Sequence, residues 1–106
     1  MNTSQWNRES LSNLAPKALH DLARRAATGL VHFRLLIGRC LLVLQATRHY
    51  RDYGCSSPIH YAIRVLGLSK KEATTCRRVA RLLEDLPLLT RAAEEGRIGW
   101  AKLREI

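Results

Sequence analysis

Lys70, Lys71, Thr74, Arg77, Arg78 and Arg81 recur at spacings that place them on one side of a helix. Five of these six are cationic. Their chemistry is anion recognition: an ammonium acts as a point charge on phosphate, and a guanidinium offers a planar fork of donors to phosphate or a guanine edge. The opposite side of the same helix carries Ala73, Cys76, Val79, Ala80 and Leu83, which reads as a core face. A solvated helix ordinarily mixes charge signs outward to gain pairs four residues apart. Here acidic residues enter that face only at its far end, with Glu84 and Asp85. Glu72 lies toward the core-facing edge, three residues after Ser69, where the pair makes a capping box. Cations at Lys70 and Lys71 oppose the helix dipole, which favours anions there, and a bound phosphate would offset that cost. Thr74 is short enough to let the backbone approach a groove. Other readings are a solvated face without a ligand and a face for an anionic protein or membrane surface. An interfacial helix needs bulky apolar residues opposite its cations, whereas Ala73, Cys76 and Ala80 are small.

No other residues form a chemical constellation. His20, His32, His49 and His60 are scattered, without metal-site spacing. Glu84-Asp85 and Glu94-Glu95 are adjacent carboxylates, which on a helix diverge by about 100° and make a poor acid–base couple. Cys40, Cys55 and Cys76 show no CxxC, and an odd number of cysteines argues against a disulfide framework, so a reducing cytoplasm fits. Cys40 and Cys76 fall among apolar helical positions and are expected to be buried thiols. The glycine-rich phosphate loop, the nucleophile elbow and HExxH do not occur. The sequence therefore predicts no catalysis by this chain, no metal, no cofactor and no small-molecule substrate.

The cationic residues need a scaffold, and the pattern around them is helical throughout. Residues 1–12 read as a flexible leader, and 13–106 as a single domain. Asn13 or Ser12 is placed to cap a long helix over about 14–50, with Pro16 in its first turn. Gly29 and Gly38 are the points where it could bend. In its first half Leu19, Leu22, Ala23 and Ala26 make an apolar face, with Arg24 and Arg25 pointing away. Its second half, from Leu35 to Leu44, is apolar nearly all round and must be covered on most faces. Central burial within one chain would do this, and so would pairing with a second copy, a homodimer. Asp52-Tyr53-Gly54 ends the long helix. Ser56-Ser57-Pro58 starts a short one, Gly67 stops it, and Ser69 restarts the chain, a helix-turn-helix layout over about 57–85. Pro87 and Gly96 bracket a further helix, and Trp100 opens the last. Trp6 and Trp100 read as packing anchors, with Trp100 locking the last helix against the helix that ends near Leu86. His49 to Tyr53 reads as the polar end of the long helix, with a secondary capacity for phosphate contact.

The bulk composition agrees. The chain has 106 residues, a normal apolar share of 46% and a formal charge of +9. That surplus suits a polyanion, and 14 Arg against 4 Lys tilts it toward nucleic acid. The N-terminus lacks a signal-peptide core, and the greasiest stretch, Leu30 to Leu44, is short for a bilayer and holds His32, Arg34 and Arg39, so no membrane partner is expected. The text stops at Ile106 in mid-pattern, as a fragment of something longer would.

From Tyr53 onward the sequence resembles the helical domain of unknown function that precedes an HNH nuclease module in many bacterial proteins. The matching marks are Tyr53-Gly54 followed by small residues, Leu66-Gly67-Leu68-Ser69, Arg77-Arg78-Val79-Ala80, Leu86-Pro87, and Glu95-Gly96-Arg97 followed by Gly99-Trp100-Ala101-Lys102. They cover about half of the chain. The run from Leu82 to Lys102 is also similar to the helical DNA-binding segment of ParB-type partition proteins. Both likenesses imply DNA as the partner. The HNH residues that would hold a metal and activate water have no counterpart here, so the likeness implies a targeting or assembly part. The reading is an all-α, non-catalytic module contacting duplex DNA through Lys70, Lys71, Thr74, Arg77, Arg78 and Arg81. The alternative is a protein-interaction or dimerisation domain using the long helix.

Overall fold

The computed structural model describes residues 6–106, and every regular element among them is helical. A short helix α1 (Arg8–Ser12) comes first, within the segment read as a leader. It starts because Asn7 Oδ1 accepts the Ser10 backbone N–H at 2.8 Å. Residues 1–5 of that segment lie outside the described residues.

The long helix α2 (Pro16–Thr47) begins without a side-chain cap. Asn13, expected as its cap, instead closes α1. Ala15 is extended, as the residue before a proline prefers, and Pro16 supplies a preset first turn. The far end comes earlier than the sequence suggests. The Thr47 hydroxyl donates to the Val43 carbonyl at 2.9 Å, and Arg48 turns left-handed with φ 61° while its N–H reaches the Leu44 carbonyl. Residues 49–53, expected as the end of α2, form a separate 3₁₀ helix (His49–Tyr53) closed by Gly54.

Helix α3 (Pro58–Arg64) is capped by Ser57, whose hydroxyl accepts the His60 N–H at 3.0 Å. Gly67 is left-handed with φ 74°, and the Leu68 N–H turns back to the Ala62 carbonyl. Helix α4 (Lys70–Leu83) follows, then α5 (Pro87–Glu94) and α6 (Trp100–Leu103). The Thr90 hydroxyl, 2.9 Å from the Leu83 carbonyl and 3.0 Å from that of Leu86, ties α5 to the end of α4.

The helices form a slab with extents of 48 × 32 × 19 Å, two helix diameters thick. One layer is α2, and the other holds α3, α4 and α5, with α4 as the main partner of α2. Two apolar clusters hold the layers together. Val31 and Leu35 meet Val79, Leu83, Ala93 and Leu103 at one end. Leu41 meets Ala62 and Ala73 at the other. Between them the helices cross at Gly38. A methyl there would run into the Cys76 carbonyl and lie 2.7 Å from Ala80 Cβ, so this position is small because a backbone passes over it.

Central burial of α2 is not what the structure has. Within α2 only Val31, Leu35, Gly38 and Leu41 are buried. Leu19, Ala23 and Ala26 are exposed and Leu22 is half-buried, so the apolar face expected in the first half is mostly uncovered. Cys40, expected in the core, is exposed, whereas Cys55 and Cys76 are buried. Trp6 is exposed rather than a packing anchor. By length and composition alone, α2 is long and apolar enough to cross a membrane. What joins it to the other layer is the packing of its one buried face.

Candidate nucleic-acid interface

Helix α4 is the best-specified element of the chain. Its capping box is complete: Ser69 Oγ accepts the Glu72 N–H at 3.0 Å, and Glu72 Oε1 accepts the Ser69 N–H at 3.1 Å. The hydrogen bond from the Ser69 backbone holds the Glu72 carboxyl below its ordinary pKa, with smaller help from the Ser69 side chain and the charge of Arg34. The expected core face is the one observed, with Ala73, Cys76, Val79, Ala80 and Leu83 all buried. Burial raises the Cys76 thiol, which stays neutral and packs as a small apolar group.

With that face fixed, the outward residues follow. Lys70, Lys71, Thr74, Arg78 and Arg81 are exposed and Arg77 is half-buried. Among the described residues the ion pairs are Arg39–Glu94, His49–Asp52 and Arg97–Glu95, and none uses a cation of α4. Among the described residues no cation of α4 has a carboxylate at ion-pairing distance.

The six residues do not act as one set. Thr74, Arg77, Arg78 and Arg81 line a shallow groove of about 410 Å³ between α4 and α2, where Leu42 and Gln45 form the other wall. Lys71 lies on the other flank, beside a second hollow shared with Arg34, Trp100 and Arg104. Arg78 differs from the rest. Its guanidinium donates to the Ile106 carbonyl at 2.7 Å and to the Arg104 carbonyl at 2.5 Å. These bonds bind the C-terminal turn to α4 and engage two of the five guanidinium donors.

Sequence reasoning missed Gln45, an uncharged polar residue in an apolar stretch, and Leu42 beside it. It also missed the Arg34 guanidinium, which stacks 5.2 Å from the Trp100 ring centre. Trp100 is half-buried and packs on the Val31–Leu103 cluster, so the anchor role holds, with Arg34 over its ring.

His32 and His60 make structural hydrogen bonds. His32 Nε2 donates to the Glu94 carbonyl at 2.9 Å, and His60 Nδ1 accepts the Ser56 N–H at 3.0 Å. Among the described residues no three His, Cys, Asp or Glu side chains gather as a metal site would require. What the arrangement presents is a set of outward positive charges on α4. Comparison of the chain with protein-family models, with curated proteins and with solved structures finds no match.

Proposed function

We propose that this chain is a non-catalytic DNA-binding module, of the kind that accompanies an HNH-type nuclease, and that it meets duplex DNA through α4. The observation that carries this reading is the cationic face of α4, unpaired with carboxylates along the first three turns. In this reading α3, the Gly67 turn and α4 act as a helix-turn-helix, with α4 as the recognition-type helix. Lys70, Lys71, Thr74, Arg77 and Arg81 contact the DNA, mostly at phosphates. Arg78 is a positioning residue that holds the C-terminal turn, because both of its terminal nitrogens already donate, to the carbonyls of Arg104 and Ile106.

Fluorescence anisotropy of a labelled duplex, read over a salt series, tests the proposal. Binding should weaken steeply with salt, and Arg77→Ala or Arg81→Ala should each lower the log–log salt slope by about 1. Arg78→Ala should reduce thermal stability more than it changes the salt slope. Absence of binding at low salt, or indifference to a combined Lys70→Ala, Arg77→Ala, Arg81→Ala variant, would overturn it.

A further inference from the structure

The side of α2 turned away from the other layer carries its own apolar repeat. From Leu19 to Thr47 the spacing alternates between three and four residues through Leu22, Ala26, Gly29, Phe33, Leu36, Cys40 and Val43. No position of that register holds an acidic or basic residue. The outer side is far from covered: Leu19, Leu30, Phe33, Leu36 and Val43 are 43, 47, 67, 52 and 59% exposed.

We propose that this seam is a homodimer interface, in which α2 packs along α2 of a second copy as a coiled coil. Three observations favour a second copy over other occupants. A seven-residue repeat with its apolar seam uncharged is the pattern that seats side chains of one helix between those of another with the same repeat. The partner must then be a helix of similar length, and α2 is the one helix of that length among the described residues. The area also suffices. Leu19, Phe33, Leu36 and Val43 of that register, with Leu30 beside it, present roughly 500 Å² of apolar surface, and two copies would bury about 1,000 Å² from these alone, the least a specific interface needs. A bilayer could not take up α2 lengthwise without stripping Val31, Leu35 and Leu41 from the other layer.

The proposal does not rest on DNA binding, and its test contains no DNA. Sedimentation equilibrium of the purified chain across the micromolar range should give twice the 12.0 kDa chain mass. Phe33→Glu and Leu36→Glu should each weaken self-association at least about 100-fold, because each places an unpaired carboxylate in the seam. Both sites are exposed in one copy, so the variants should keep the helical circular dichroism of the parent chain. A parent chain that stays at 12.0 kDa, or a dimer untouched by both substitutions, overturns the proposal. So does a monomer that co-sediments with phosphatidylcholine–phosphatidylglycerol vesicles, since the lipid would then be what covers the seam.

Discussion

At the scale of single residues, Glu72 and Ser69 show how one local exchange sets where the cationic helix begins. Each satisfies a backbone N–H of the other, and the carboxylate form does so best. The carboxyl is held below its ordinary pKa, so its contribution is fully present above that value and is lost as pH falls through the lowered one. Thermal unfolding should therefore show the parent chain losing stability in acid relative to Glu72→Gln, with the two converging at the acid end. A constant difference between them across the range would place the role of Glu72 elsewhere. The cap was legible in the sequence because both partners lie within one turn. The role of Arg78 was not. Its acceptors are backbone carbonyls 26 and 28 residues away, and side-chain identity carries no signal for such a contact. Arg48 gave no warning either. It ends α2 in a left-handed conformation that usually costs a non-glycine residue about 1–2 kcal/mol.

At the scale of elements, the two glycines inside α2 separate propensity from packing. Both should cost roughly 0.5–1 kcal/mol relative to alanine in a free helix. Gly29 has open space where a methyl would go, so Gly29→Ala should raise the unfolding midpoint in chemical denaturation. Gly38 lies under the Cys76 carbonyl, a backbone atom that cannot swing aside. Gly38→Ala should lose about 1–3 kcal/mol in the same measurement, the gain in propensity included. A stabilising Gly38→Ala would mean that the two helices can part freely at their crossing. Periodicity alone could not order the two positions. It marked both as possible bends and read the second half of α2 as apolar nearly all round, without telling which side the chain itself covers. That is why Cys40 was expected inside and lies outside, while Cys76, on a helix with one stripe, was placed correctly.

At the scale of the whole molecule, the all-helical class and the helix order were legible from capping residues, prolines and glycines. The thickness was not. A slab of two layers leaves one side of α2 without a neighbour, and nothing local in a sequence encodes how many layers a chain will make. The candidate site shows the same division. Its α4 half follows from a single period, whereas Leu42 and Gln45 join it only because α2 crosses α4 at Gly38.

The placement of burial along α2 has a consequence for time rather than shape. The helix is unbroken from Pro16 to Thr47, yet no side chain before Val31 is buried. Opening the first turns breaks hydrogen bonds but uncovers almost no core, whereas opening the stretch from Val31 to Leu41 separates both clusters from α4. Amide hydrogen exchange on the isolated copy should therefore run fast from residue 20 to about residue 27 and slow sharply beyond Val31. One continuous rod would then have two lifetimes, with the change falling inside a helix where the backbone geometry shows no joint. Uniform protection along its length would require something packed against its first half.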